Sequence, residues 1–458
     1  MTKRFLFITV TCIVIFSVTK LSAQDSSASQ TPDKWTLQAC IDYAKQHNIQ
    51  LNSLRLTQQS SEQDLLQSKA AKLPNLSGSL SQSVTGSKNS NNFAGNSNSE
   101  AGSFQSQANF AGNYSSNSSW VLYNGGYINN DIREKNLLVQ SANLNILQTQ
   151  NDITLQITQA FLNILLAKEN IVYVEDLIKT SQSQLQQGQQ RFDAGAIAKK
   201  DLIQLQAQLA NDQYTLVTSQ NNLRQNELTL KQILQLPSSY NFEISAPDTL
   251  ITEKVYPPLQ EAESKALQTR PEVKNGELNV QVAQTDLNKA KAGVLPTVSL
   301  GASLATGYSD YQTGKYTSQL NNNFYQQLGV TVSIPIFSNR INKTNIEKSK
   351  IQIDQSKLSL QDTKTVLSQE VEQSYINVLN AQSQYTAAEK QLEANEESYR
   401  ITNEEFKIGS VNIVDLLQQK NLYVQALQAY IQAKYNTILS LKIYEFYTGV
   451  PVTLTSNP

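Results

Sequence analysis

Phe406-Lys407-Ile408-Gly409-Ser410-Val411-Asn412-Ile413-Val414-Asp415-Leu416 has an earlier counterpart in the same chain, Phe192-Asp193-Ala194-Gly195-Ala196-Ile197-Ala198-Lys199-Lys200-Asp201-Leu202. Phe, Gly, Asp and Leu recur at a single displacement of 214 residues (406 − 192 = 214). Ser119 with Leu122-Tyr123 matches Ser333 with Ile336-Phe337, and Pro237 matches Pro451, at that displacement. Leu73-Pro74 answers Leu295-Pro296 at a displacement of 222 (296 − 74 = 222), so the length difference falls between Pro74 and Ser119, a stretch rich in Ser, Asn and Gly. A repeat this long is two tandem copies of one supersecondary unit. It divides the chain into a first copy over 24–236, a linker over 237–258, a second copy over 259–450 and a tail over 451–458.

The sequence around each motif is helical. From Tyr127 to about Gln190, and from Asn342 to about Thr402, there is no proline. At 1.5 Å per residue about 60 residues reach roughly 90 Å. After the motif a second helix returns, carrying Leu202, Leu209, Leu216, Leu223 and Leu230 in the first copy and Leu416, Tyr423, Tyr430, Thr437 and Tyr444 in the second. Beside the latter runs a parallel stripe of Leu417, Val424, Ile431 and Ile438. A strict heptad is the signature of a left-handed coiled coil, and two adjacent stripes mean contact with more than one neighbour. Gly195 and Gly409 fall where one helix must reverse into the next, a left-handed position that glycine takes cheaply. Asp201 and Asp415 then fall in the first turn of the returning helix, where a carboxylate favours the dipole and can cap free backbone N–H groups. The same aspartates suit a cation-attracting constriction if they face a shared pore.

Each copy opens with a helical stretch, Thr36 to Lys72 and Leu259 to Gly293, stopped by the Leu-Pro pair. Beyond Pro296 the apolar period becomes two, with Val298, Leu300, Ala302 and Leu304 forming one strand and Leu328, Val330, Val332, Ile334 and Ile336 a second. The first copy repeats this more weakly, with Leu76, Leu80 and Val84, then Phe110, Trp120 and Leu122. Segments of Asn, Ser, Gly and Tyr over Thr85–Gln107 and Thr306–Asn323 are expected to be exposed hairpin loops. One hairpin per copy gives four strands, and a barrel needs about eight. Trp120, Tyr123 and Phe337 stand at the helix ends of the strands, and Tyr308, Tyr311, Phe324 and Tyr325 near the loop ends. That distribution is expected of membrane-interface girdles.

The 458-residue chain carries 37 Lys+Arg against 38 Asp+Glu, a net charge of −1 that offers no basic face for nucleic acid. Lys3 and Arg4, the apolar run Phe5 to Val18, and Leu21-Ser22-Ala23 form an expected secretory signal over 1–23. Cys12 would leave with it, so Cys40 could form no internal disulfide. Mean hydropathy is −0.39 and no later run approaches 18 apolar residues, which excludes an inner-membrane helical bundle. For enzyme chemistry the search returns nothing. His47 is alone in a polar helix and expected exposed, the acidic run Glu393, Glu396, Glu397, Glu404 and Glu405 reads as a solvated helix face, and no phosphate loop, cysteine pair or nucleophile elbow occurs. No cofactor or metal is expected.

These motifs together resemble the TolC-like outer membrane efflux proteins over nearly the whole chain, most specifically at Ile408-Gly409-Ser410 followed by Ile413-Val414-Asp415-Leu416. The resemblance implies an α+β membrane protein. Its homotrimer would carry a 12-stranded outer-membrane β-barrel, four strands per chain and facing lipid, above a long periplasmic α-helical barrel. It implies an exit duct served by a periplasmic adaptor and an inner-membrane pump of RND, ABC or MFS type, with helical tips that open like an iris. It places Asp201, Asp415 and Gln418 at the periplasmic aperture, Gln418 standing where the family has a second acid. It places Phe192, Gly195, Lys199, Lys200, Phe406, Gly409, Ser410 and Val411 at the tip turns that contact the adaptor. Phe406 and Val411 occupy positions where the best-known members carry a tyrosine and an arginine that latch the closed tip around Asp201. Neither has a side-chain donor, so a weaker or differently held gate is expected. The competing reading is a soluble periplasmic coiled-coil adaptor or structural protein, which explains the heptads and leaves the alternating strands without a purpose.

Overall fold

The computed structural model describes residues 34–89, 105–237, 239–240, 242–246 and 256–450. The expected signal peptide and tail lie outside the described residues, as do parts of the linker and residues 90–104 of the expected Thr85–Gln107 loop, whose described ends are strand rather than loop. Two similar series of elements follow one another. The first is α1 (Leu37–His47), α2 (Ile49–Ala70), β1 (Asn75–Asn89), β2 (Gln105–Asn124), α3 (Tyr127–Asp193) and α4 (Lys199–Ile233). The second is α5 (Leu259–Thr269), α6 (Pro271–Ala292), β3 (Thr297–Ser309), α7 (Tyr316–Asn322), β4 (Tyr325–Ser333), α8 (Ile341–Ile408) and α9 (Ile413–Tyr447). The 67 residues of α3 and 68 of α8 span roughly 100 Å each.

Backbone geometry repeats with the sequence. Left-handed residues occur at Gly125-Gly126 and Asn339-Arg340, at Gly195 and Gly409, and at Gln235 and Gly449, every pair 214 apart (340 − 126 = 214). The opening helices, expected to be continuous, are each broken once. Asn48 turns extended and caps α2 by accepting from Leu51 N at 3.2 Å. Arg270 turns extended because it precedes Pro271, whose ring excludes the helical conformation from the residue before it.

The four strands form one antiparallel sheet in the order β1-β2-β3-β4. Cross-strand partners Leu80 and Tyr114, Trp120 and Leu300, and Leu300 and Val330 put the apolar residues on one face. The other face carries mostly Ser, Asn, Gln, Thr and small residues, as in Ser79 opposite Ser115 and Ser303 opposite both Asn117 and Gln327, with Val121 and Tyr325 near its two ends. Among the described residues this polar face has no charged side chain. A bulge between Val121 and Tyr123 shifts the register by one, so Tyr123 pairs with Val298 and rejoins Trp120 on the apolar face.

Two strand expectations are corrected. Ile334 and Ile336 lie outside β4, which ends at Ser333 because Pro335 has no N–H to give the ladder. Thr306–Asn323 is not a bare loop: β3 continues to Ser309 and the segment holds α7. Its amide side chains satisfy the backbone there. Gln319 accepts from Ser309 N at 2.9 Å and donates to Gln312 O at 2.9 Å, while Asn323 donates to Gly307 O at 2.8 Å.

The largest core sits where α1, α3, α9 and the residues before the second copy meet. Trp35, fully buried, bridges to the linker by Trp35 N to Glu243 O and Ser245 N to Trp35 O, both 3.0 Å. The second copy has a smaller equivalent around Ala262, Val371 and Tyr444, with Tyr444 donating to Pro257 O at 2.7 Å. His47 is half-buried rather than exposed, its ring stacked on Tyr43 with centroids 4.2 Å apart.

Candidate functional site

The tip of the helical region is built from two reversals. At the first, α3 ends with Gly195 at φ +73°, Gly195 N donating to Phe192 O at 2.8 Å and Ala196 N to Arg191 O at 2.7 Å. At the second, Gly409 at φ +82° does the same, with Gly409 N to Phe406 O at 3.1 Å and Ser410 N to Glu405 O at 2.9 Å. Both turns satisfy the last helical carbonyls by a left-handed residue.

The returning helices start differently. Asn412 caps α9 by accepting from Asp415 N at 3.0 Å and donates back to Asp415 Oδ2 at 2.8 Å. The α4 N-cap is Ala198, which has no such side chain. Neither aspartate is itself the N-cap, so the capping role expected of them falls to Asn412 in one copy and to no side chain in the other. The signal for Asn412 was present in the sequence as Asn followed three residues later by Asp.

Asp415 and Gln418 are exposed, and Asp201 is half-exposed. Lys199, Lys200 and Ser410 are exposed, whereas Phe192 and Val411 are half-buried. Phe406 is 3% exposed and belongs to an apolar layer with Leu205, Tyr399, Ile413 and Leu416, drawn from both hairpins. The Arg191 guanidinium lies 4.9 Å above the Phe406 ring and donates to Lys407 O at 2.6 Å. A cavity of about 660 Å³ opens between the reversals, lined by Arg191, Asp201, Phe406, Gly409 and Val411 among others. Phe406 and Val411 therefore stand near Asp201 without offering it a hydrogen bond.

Above this layer lies a polar cluster that heptad reading missed. Lys420, with no exposed side-chain surface, pairs with Asp212 at 2.7 Å and also donates to Ser181. Ser181 donates to Asp212, whose second oxygen accepts from Gln208 at 2.8 Å. Burial pulls the Lys420 ammonium below its ordinary value, and the Asp212 carboxylate opposes that pull. Gln184 donates to Tyr399 Oη and Asn403 Oδ1, both at 2.9 Å. Burial pushes the Tyr399 hydroxyl up to about 12, so it stays protonated.

Comparison with known proteins gives the architecture its context. The profile of the family described as "Outer membrane efflux protein" matches residues 40–235 and 263–442, most of both copies. The chain belongs to the outer membrane efflux protein family. The outer membrane protein TolC of Escherichia coli K12 is 26% identical over 306 residues, covering 64% of this chain and 60% of that protein. TolC of Vibrio cholerae is 23% identical over 404 residues, covering 87% of each. The solved channel CusC superimposes with a TM-score of 0.78 at 17% identity over 92% of this chain and 94% of its own, a likeness of fold. The family is one of channels and not of enzymes, and membership places this efflux protein in the outer membrane with a large periplasmic portion.

The aromatic residues of this outer membrane efflux protein fall at both ends of its sheet. Trp120 and Tyr123 stand near the α3 end, and the Trp120 indole donates to Lys72 O at 2.8 Å. Phe337, 85% exposed, lies just beyond β4 at the same end. Tyr308, donating to Gln82 Oε1 at 2.8 Å, stands at the loop end of β3, and Phe324, 55% exposed, directly precedes β4. Between them the exposed Leu76, Leu80, Leu328 and Val330 occupy the apolar face.

Proposed function

We propose that three copies of this chain form an outer-membrane exit duct of a tripartite efflux or secretion system. The observation that carries the reading is one sheet with an apolar and a polar face and two unpaired edges, β1 and β4, standing on helices roughly 100 Å long. Open edges with exposed apolar residues are unstable in a monomer, and three sheets joined edge to edge close a 12-stranded barrel. The polar face then lines the lumen, and the aromatic residues at both ends sit at the lipid interfaces.

In this reading Asp201, Asp415 and Gln418 line the periplasmic aperture. Lys199 and Lys200 on one turn, and Ser410 and Val411 on the other, meet a periplasmic adaptor that connects the duct to an inner-membrane pump. Phe192, Gly195, Phe406 and Gly409 shape those turns. No chemistry is performed on the substrate. The duct supplies a water-filled path and a gate, and the pump selects what enters.

The test has two parts. The protein extracted from outer membranes with detergent is expected to be a heat-modifiable trimer that conducts ions across a planar bilayer. Deleting its gene is expected to raise dye and antibiotic retention. A soluble monomer without conductance would sink the proposal in favour of a periplasmic coiled-coil role.

A further inference from the structure

The duplication shows which surfaces of the chain lack a neighbour. Helix α3 packs on α1, α2 and α4 of its own copy and also on α6 and α9 of the second copy, whereas its counterpart α8 packs on α5, α6 and α9 of its own copy. Among the described residues, no helix packs along the flank of α8 that corresponds to the α6 and α9 flank of α3. Burial of matched apolar residues differs accordingly. Leu162 and Leu165 of α3 are buried, but Ile376 and Leu379 of α8 are 42% and 38% exposed (376 − 162 = 214). Ile431 of α9 is buried, and its counterpart Val217 of α4 is 52% exposed (431 − 217 = 214). Apolar side chains exposed at positions whose duplicates are core mark a face built for burial. The sheet repeats the contrast, since β2 and β3 join the two copies while β4 and β1 each have one unpaired edge.

We infer that each chain joins the next in the register that joins its own two copies: α8 lies against α2 and α4 of the partner subunit, and β4 pairs with β1 of the partner subunit so that Ser333 faces the partner's Ser79. A head-to-tail junction repeated within and between chains is the kind that closes a ring. The strand register follows from the two displacements. Ser119 lies opposite Gly301, and these map to Ser333 (119 + 214 = 333) and Ser79 (301 − 222 = 79). Leu328 then meets the partner's Val84, which keeps the apolar residues on one face, as a slip of one residue would not. All nine β4 residues find partners inside β1, from Tyr325 opposite the partner's Ser87 to Ser333 opposite the partner's Ser79. Side chains at the two junctions are not copies. Within the chain Lys289 pairs with Asp131 at 2.9 Å and with Glu134, Glu134 and Asp286 share a hydrogen bond, and Lys434 pairs with Glu169 at 2.9 Å. Lys289 and Asp131 correspond to Gln67 and Asn345, and Lys434 and Glu169 to Gln220 and Ser383, all exposed and uncharged. Glu134 and Asp286 correspond to the exposed Lys348 and Asp64 (134 + 214 = 348; 286 − 222 = 64), which places Lys348 against the partner's Asp64. The junction between chains thus keeps the apolar contacts and replaces these ion pairs by neutral groups and one pair of opposite charge.

The inference rests on the duct reading, which needs three copies, and the experiment separates their failures. Wild-type protein that is monomeric in detergent by light scattering would overturn the duct reading. Given a trimer, Ser79→Cys/Ser333→Cys chains oxidised in outer-membrane vesicles are expected to run as covalent dimers and trimers on denaturing gels. Residues directly opposite across an antiparallel pair have Cα atoms about 4.5–5.5 Å apart, within reach of a disulfide. Ser79→Cys/Gly329→Cys puts the thiols four residues out of register, about 13 Å along the strand, and is expected to remain unlinked. Cys40 is fully buried and its thiol is pushed up to about 12, so it stays out of the reaction. Linking of the second pair in place of the first, or a trimer in which neither links, would overturn the inference. Along the helices, Lys348→Glu and Asp64→Lys are each expected to lower the temperature at which the trimer dissociates in detergent, and the double change to restore it. Single changes without effect, or a double change that restores nothing, would overturn the helical register.

Discussion

Replacing Asp212 by alanine should expose how much of the tip depends on one buried ion pair. The change leaves the Lys420 ammonium with no exposed surface and only Ser181 Oγ as a partner, and it strips Ser181 and Gln208 of their acceptor. Breaking a buried pair by removing one member costs about 3–5 kcal/mol. If that cost falls on the hairpins below the pair, the population of locally opened tips rises roughly 10²- to 4 × 10³-fold, at about 1.4 kcal/mol per factor of ten. Trypsin reads this directly, because Arg191, Lys199, Lys200 and Lys407 stand at the tip and are cleavable only where helix has opened. We predict much faster tip cleavage of folded Asp212→Ala protein, and near wild-type cleavage of Lys420→Met/Asp212→Leu, in which apolar groups of similar size replace both charges. Asp212→Ala protein as resistant as wild type would refute the reasoning, as would a double variant as sensitive as Asp212→Ala.

Three further outcomes are expected. Phe406→Tyr with Val411→Arg supplies the two donors that the family latch uses near Asp201, and should lower resting conductance in planar bilayers; unchanged conductance would refute this prediction. Gly125→Ala combines φ +66° with a new Cβ 2.8 Å from Leu295 Cβ, a loss of about 2–4 kcal/mol, whereas Arg340→Gly relieves a left-handed residue at the equivalent junction and should stabilise by up to about 1 kcal/mol. Opposite shifts in unfolding midpoint check both. Burial raises the Asp286 carboxyl from 3.8 to about 6, with Glu134 as a second cause. Between those values the folded chain binds a proton that the unfolded chain has released. Stability from this group is therefore full below about pH 4 and lost as pH rises through 6. Asp286→Asn should flatten that slope in chemical unfolding measured across pH 4–7.

The repeat made much of the architecture legible. A displacement of 214 (409 − 195 = 214) in the sequence reappears as left-handed residues at the same displacement in the backbone, because duplicated turns need duplicated φ angles. Alternation at Val298 to Leu304 marked a strand, since a sheet with one apolar face forces that period. Pro335 was underweighted: the apolar period runs on through Ile336 while the ladder stops before the proline. The polar cluster was hidden for a different reason. Lys420 shares a register with Ile413, Leu427 and Leu441, all buried, and the wrong residue type in that register was the only available signal. Its partners stand 208 and 239 positions away, Asp212 and Ser181, and nothing in a heptad says which polar residue on another helix lies opposite. Arg191 escaped notice likewise, since its contact is with a ring and a carbonyl 215 and 216 positions away (406 − 191 = 215) rather than with an acid.

The uncharged polar face of the sheet has a consequence for traffic. A wall of hydroxyls and amides, such as Ser79, Ser115, Asn117 and Ser303, exchanges hydrogen bonds with water readily and offers no fixed counter-ion. In the proposed duct, a molecule that reaches this sheet meets no fixed charge on the described part of its polar face, whether it is cationic, anionic or neutral. If the duct forms as proposed, residence time in that stretch is governed by diffusion through water, and a cargo leaves as fast as its size allows.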